Sequence, residues 1–339
     1  MPMVFRGVVL SLTLLGSVIA DAADVLERYD STDTLNPGED SNPDAQNCLD
    51  GLCWEPEEFK VEVTTAEQGR GDFLVRFPSP RPTGNDVNDL VALEWYAVFD
   101  EAGNPVRGPA VIVVHESGSG MTVGRLFAQG FRQRGIHAFM LQLPNYGLRR
   151  IARHVDAANM LPALKQGIAD TRRARDAVRV LPAVDSDKIA LQGTSLGGFV
   201  ASTSGAIDAG FQPVFLTLSG GDIYSVIKQG KKDAAKVRER LEAAGVDDGQ
   251  LREMTQAIEP NRVAHRLRAE TTFIYSGLYD EVVPLANAES LASKIGLAAD
   301  HHTKLPSNHY TGVVFMPVIL DHMATQIMGR PVKGPAAVE

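Results

Sequence analysis

Lys188–Gly198, KIALQGTSLGG, is the stretch whose reading decides the fold. Ile189, Ala190 and Leu191 read as a short buried strand. It runs into Gly193-Thr194-Ser195-Leu196-Gly197 and then into an apolar helix starting near Gly198. Gly-x-Ser-x-Gly between a strand and a helix is a nucleophile elbow. The backbone turns so sharply there that Ser195 is strained, with its hydroxyl held above the sheet. Gly193 and Gly197 serve the neighbours, since a side chain two residues either side of the turn would strike the adjoining strand and helix. Such a pentapeptide is short, so the reading leans on what surrounds it.

Outward from the elbow, the pattern is that of alternating strands and helices. Upstream, PAVIVVHES (109–117) is a continuous β-branched run suited to a strand buried on both faces. An amphipathic helix follows at 121–135, a second buried strand at 136–144 and a long helix at 158–182. Downstream come strands in PVFLTLSGG (213–221) and TTFIYSG (271–277), a late strand in HHTKLP, and a closing helix over 311–329. Three earlier strand signals, FKVEV, DFLVRFP and DLVALEWYAVFD, read as an antiparallel edge. The expected fold class is α/β: a doubly wound, mostly parallel sheet with right-handed crossovers, its domain spanning 59–339. Residues 223–267 are strongly charged and helical, far longer than a simple crossover needs. They read as a small helical insertion, a cap over the carboxyl end of the sheet.

The N-terminus reads differently. Arg6, the apolar run 7–20 and Ala20-Asp21-Ala22 form the pattern of a signal peptide over 1–22, cleaved after Ala22. That predicts an exported protein, periplasmic or secreted. The apolar run is shorter than the ~20 residues that span a bilayer, so no stable membrane anchor is expected. Residues 23–58 read as an extended polar leader wrapped over the domain. Cys48 and Cys53, the two cysteines of the chain, are expected to staple it by a local disulfide in an oxidising compartment.

Net charge is −9, from 33 basic and 42 acidic residues that are well mixed along the chain. Nucleic acid is not an expected partner, because phosphate binding needs a concentrated basic face. The basic run Arg149, Arg150, Arg153, Arg172, Arg173 and Arg175 reads as solvated faces of surface helices. His301 and His302 are adjacent and would face opposite sides of a strand, so they do not suggest a metal site.

With VIVVHES, GTSLGG and SGLYDEVVP in hand, the chain resembles the α/β-hydrolase superfamily over about 109–329. The strand ending in His-Glu is similar to its dienelactone-hydrolase branch, although Ser195 stands where that branch commonly has cysteine. The resemblance implies the order nucleophile, acid, histidine, matched by Ser195, Asp280 and His309. The chemistry of the residues agrees. A serine hydroxyl needs a base within hydrogen-bond reach, and His309 lies in a loop where an imidazole can hang over the sheet top. Asp280, after TTFIYSG, would fix that imidazole's tautomer and stabilise its cation. Asp222 is the alternative acid, one strand earlier, as in some members of the superfamily. The oxyanion of acyl transfer needs two donors, assigned to the N–H of Leu196 and that of Ser117, with Gly118 letting the loop approach. Glu116 is expected either to contact the nucleophile region or, preferably, to brace the loop against an arginine. His115 is expected to be structural, bonded to backbone under the loop.

The resulting expectation is a serine esterase acting through an acyl-enzyme on Ser195, on a small-molecule ester, with no metal or cofactor. A peptidase or amidase of the same fold and a catalytically silent binding protein are the alternatives. Acyl length, alcohol group and oligomeric state are not readable from these residues.

Overall fold

Ten strands form one sheet in the order β1-β2-β3-β4-β6-β5-β7-β8-β9-β10 in the computed structural model, which describes residues 25–151 and 156–330. The strands are β1 (Val25–Thr32), β2 (Glu58–Thr65), β3 (Phe73–Pro78), β4 (Leu90–Tyr96), β5 (Gly108–Val114), β6 (His137–Gln142), β7 (Val184–Thr194), β8 (Val214–Thr217), β9 (Thr272–Gly277) and β10 (His302–Leu305). From β1 to β4 and on to β6 neighbours run antiparallel. From β6 through β5, β7, β8, β9 and β10 they run parallel. The expected mostly parallel sheet with an antiparallel edge is therefore present.

Helices cover both faces. They are α1 (Pro43–Asp50), α2 (Asp86–Asp89), α3 (Thr122–Arg132), α4 (Ala157–Val178), α5 (Leu196–Ala206), α6 (Ile223–Gln229), α7 (Asp233–Ala243), α8 (Asp248–Gln256), α9 (Pro260–Val263), α10 (Leu285–Ile295) and α11 (Met316–Met328). The alternation along β5 shows why its apolar run is unbroken. Ile112 and Val114 enter one core with Ile168 and Ala174 of α4 and Val200 of α5. Val111 and Val113 enter the other with Phe127 of α3 and Leu320 of α11. A strand clad on both faces has no polar side.

Two expectations fail together. Part of the supposed extended leader is β1, an edge strand paired with β2 over Val25–Thr32, and α1 follows it. At the end of β1 and just past it, the chain lies across α4: Ser31 Oγ donates to the Asp176 carbonyl, and Thr34 donates through N and Oγ1 to the Asp176 carboxylate. The helix face beneath is therefore interior. Arg172 and Arg173, with Arg149 from the turn after β6, are fully buried rather than solvated. Arg175 is partly buried, Arg150 exposed, and Arg153 lies outside the described residues, as does the segment 1–22 read from the sequence as a signal peptide. Each buried guanidinium has its carboxylate: Arg149 pairs with Asp170 at 2.7 Å, Arg172 with Asp176 at 2.9 Å and Asp208 at 2.7 Å, and Arg173 with Asp33. Pairing is what makes burial of such charges tolerable.

The expected disulfide is absent as well. Both thiols are free: Cys48 is buried on α1 and Cys53 sits three residues past its end, half-buried. α1 packs Cys48 among the apolar side chains of the core, and the Cys53 N–H closes the turn on the Leu49 carbonyl. Burial pushes both thiols up, so neither is a ready nucleophile.

Candidate active site

The end of β7 turns into α5 with Ser195 at φ 52° and ψ −115°, a region a side-chain-bearing residue adopts only under constraint. The constraint is visible on both sides. The Ser195 N–H donates to the Thr217 carbonyl of β8 at 2.9 Å. A side chain at 197 would fall on the carbonyls of Val114 and His115, and one at 193 on the Gly197 carbonyl. β5 thus ends directly against the first turn of α5, where Leu196 is the first helical residue. Ser195 itself is 8% exposed.

The hydroxyl meets an imidazole. Ser195 Oγ lies 2.9 Å from His309 Nε2, and His309 Nδ1 lies 2.7 Å from Asp280 Oδ2. His309 hangs from the loop after β10, and Asp280 lies in the turn after β9, so adjacent parallel strands deliver both to the same sheet end. The other carboxylate oxygen, Asp280 Oδ1, accepts from the N–H groups of Val282 (2.8 Å) and Val283 (3.0 Å). Both Asp280 oxygens are used, one holding the turn and one holding the imidazole. With Nδ1 donating to Asp280, Nε2 faces Ser195 as an acceptor. Asp222 stands elsewhere: it caps the N-terminus of α6, accepting from Ser225 N at 3.1 Å. Its left-handed backbone, φ 54°, suits that cap, and His309 is taken by Asp280. The alternative acid is therefore not the one brought to the histidine.

The loop after β5 lies exposed from Ser117 to Gly120. Four of its carbonyl oxygens, those of Glu116, Ser117, Gly118 and Gly120, are tied back to the protein. Glu116 O lies 2.5 Å from His115 Nδ1; Ser117 O accepts from Tyr146 Oη at 3.1 Å. Gly118 O accepts from Met121 N at 2.9 Å, and Gly120 O from Arg125 Nη1 at 2.6 Å. His115 is fully buried, and its Nε2 accepts from Leu143 N at 3.1 Å, so Nδ1 carries the hydrogen. Burial pushes this imidazole down to about 4, keeping it neutral. Its structural place is the expected one. Glu116 is not braced by an arginine: its carboxylate accepts from Val123 N (3.1 Å) and Gly124 N (3.0 Å), capping α3. The nearby arginine, Arg125, is instead held by the buried Glu94. Helix N-terminal N–H groups need an acceptor, and a carboxylate there is favoured by the helix dipole.

The 223–267 segment reaches the loops that carry Asp280 and His309. Asp233, the first residue of α7, accepts from Tyr310 Oη at 2.9 Å, and Lys232 Nζ lies 5.3 Å from the centre of the same ring. Lys231 pairs with Glu281 at 2.6 Å and donates through its N–H to the Glu281 carbonyl. Tyr310 follows His309 and Glu281 follows Asp280, so the insertion touches the neighbour of each. Tyr146, Tyr310 and Asp233 escaped the sequence reading. The signal for Tyr146 was its place in LPNYG, a turn directly after a buried strand at the catalytic end of the sheet. Asp233 carried no comparable signal. His301 and His302 are used separately, on the Ala269 carbonyl and on Ser276 Oγ.

No protein-family model matches the chain, and neither does any curated protein. Solved structures do. An acetyl xylan esterase from Paenibacillus sp. R4 is similar over 83% of this chain and 94% of its own, with a TM-score of 0.57 at 14% identity. Acetyl xylan esterase 1 from Thermoanaerobacterium sp. JW/SL YS485 is similar over 86% and 96%, with a TM-score of 0.55 at 15% identity. A puromycin-hydrolysing peptidase of Mycobacterium tuberculosis is similar over 83% of this chain but only 47% of its own, with a TM-score of 0.54 at 17% identity. At such identities the likeness speaks for architecture alone, and with the strand order and the elbow it gives one conclusion: this chain has the α/β-hydrolase fold.

Proposed function

We propose that the protein is a serine hydrolase of carboxylic esters that works through an acyl-enzyme on Ser195. The observation carrying this reading is the unbroken series Ser195 Oγ, His309 and Asp280, at 2.9 and 2.7 Å, starting from a strained elbow. In the proposed cycle Ser195 Oγ attacks the ester carbonyl while His309 Nε2 takes its proton. Asp280 stabilises the imidazolium without itself being protonated. The oxyanion accepts from the N–H of Leu196 and that of Ser117. His309 then returns the proton to the departing alcohol, and a water activated by the same imidazole releases the acid.

Ester over amide, with a short acyl group, is favoured by the two neighbours named as acetyl xylan esterases. Amide cleavage is the second reading, favoured by the neighbour named as a peptidase. Export through the 1–22 segment and a role for 223–267 as a cap over the acyl pocket belong to the same proposal; the contacts of Asp233 and Lys231 with the catalytic loops support the cap. A series of p-nitrophenyl esters from acetate to laurate, run beside aminoacyl anilides, tests the class. Turnover greatest on short esters and abolished in Ser195→Ala is expected. Faster cleavage of the anilides would replace the esterase by an amidase.

A further inference from the structure

Resting on the serine-hydrolase reading, we infer that Tyr146 is a positioning residue for acyl transfer: its hydroxyl holds the Ser117 carbonyl and so keeps the peptide that follows the Ser117 oxyanion donor from turning its carbonyl toward the site.

The loop from Ser117 to Gly120 is exposed, yet an oxyanion site works only if its donors are already aimed when charge develops. A trans peptide is planar, with its C=O and the following N–H pointing in opposite directions. A carbonyl held back against the protein therefore turns the N–H of the same peptide the other way. The Glu116 carbonyl faces the buried His115 ring at 2.5 Å, so the Ser117 N–H points away from the interior. The next peptide is fixed by one side-chain bond, Tyr146 Oη to Ser117 O at 3.1 Å. Free to rotate, that peptide would turn its carbonyl toward the site and set a partial negative charge against the oxyanion. Two further carbonyls of the loop, Gly118 and Gly120, are tied from within α3 or its start, by Met121 N and Arg125. Tyr146 is thus a tie that reaches this loop from outside it, from the turn after β6.

Tyr146 is itself held. Its ring meets His115 edge-on at 4.6 Å between centres. Its N–H donates to the Leu143 carbonyl at 3.0 Å, and the turn continues to Arg149, which is anchored on Asp170, the Asn88 carbonyl and the Gln142 carbonyl. Burial raises the phenol, so it remains a donor at neutral pH. The adjoining Asn145 sits at φ 68°, a strained position that sets where the tyrosine follows.

Tyr146→Phe in the full chain is the test, because it keeps the ring against His115 and removes one oxygen. With a p-nitrophenyl ester, kcat should fall roughly 10-fold with KM within about twofold of wild type, a loss confined to the transition state. Affinity for a trifluoromethyl ketone, which forms an oxyanion on the serine, should fall by about the same factor as kcat/KM. Affinity for the product acid should not change. A kcat equal to wild type would overturn the inference, as would a raised KM at unchanged kcat, which would make the tyrosine a substrate contact. Should Tyr146→Phe yield too little folded protein, Tyr146→Met puts a flexible apolar side chain in its place and is judged by the same ratio. A wild type without acyl transfer would defeat the hydrolase reading instead, whereas an active wild type beside an unimpaired variant defeats only this inference.

Discussion

Two of the clusters of buried polar side chains among the described residues have chemistry that is alike at first sight. In one, α4, the segment after β1 and the turn after α5 bring Arg172 and Arg173 onto Asp176, Asp208 and Asp33. In the other, β9, β10 and the elbow bring Asp280 and His309 onto Ser195. Both pair a carboxylate with a nitrogen base at 2.7 Å. The first is closed, since each buried guanidinium meets a buried carboxylate, with Glu57 reaching Arg173 from the surface. The second is open at one end. Its carboxylate is satisfied, its imidazole is fixed, and the series ends on a strained hydroxyl beside an exposed loop. The first pairing is complete within itself; the second ends on a hydroxyl, and that is where we propose the chemistry.

The comparison breaks first, and most severely, at Ser195. Ser195→Ala or His309→Ala should lower kcat/KM by at least about four orders of magnitude, without additivity in the double variant, and leave the urea midpoint within error of wild type. Asp280→Asn should cost about 10³- to 10⁴-fold through the wrong imidazole tautomer, whereas Asp222→Asn should leave turnover within about twofold. If Asp222→Asn proved the more damaging, the acid would be misassigned.

The closed cluster should respond in the opposite way. Arg173→Ala leaves the fully buried Asp33 without its cation and should destabilise the fold by about 3–5 kcal/mol, with kcat per folded molecule unchanged. Denaturant midpoints together with active-site titration separate the two quantities. A lost kcat at full stability would mean that the interior network acts on catalysis.

Of the two regions, the elbow was legible and the closed cluster was not. The Gly193-to-Gly197 pattern is local, so strand, turn and helix are written in consecutive residues. Asp280 and His309 were legible by their order after β9 and β10. The burial of Arg172 and Arg173 depends on Asp33 and Thr34, about 140 positions earlier, which cover α4 through contacts that no local pattern encodes. The same cover explains why 23–58 misread as a leader. Glu116 misread for a smaller reason: three residues of the 120–125 segment compete for it, and the α3 N–H groups win over Arg125, which Glu94 holds.

A third and gentler test is pH. His115 sits beneath the open site and is held neutral, its pKa lowered by burial from 6.5 to about 4. Between those values the unfolded chain binds a proton that the folded chain does not, so stability falls as pH falls through that window. The loss approaches on the order of 3 kcal/mol near pH 4. Urea midpoints from pH 7 to 4.5 should show the decline, and His115→Asn should lessen its slope. A slope identical in both proteins would remove His115 from the account.

Smallest should be the effect of loosening the insertion. Tyr310→Phe removes the hydroxyl bonded to Asp233 at an exposed site, so stability should change by under about 1 kcal/mol. The order of preference among acyl lengths should shift more than the rate on acetate. An unchanged order would make 223–267 a bystander.

The central claim, that the open series makes Ser195 a nucleophile, is tested most directly by a fluorophosphonate probe followed by peptide mapping. Wild type should carry one adduct, on Ser195, with labelling sharply slowed in His309→Ala and unaffected in Asp222→Asn. A wild type that refuses the probe, or carries the adduct on any other residue, would contradict the account.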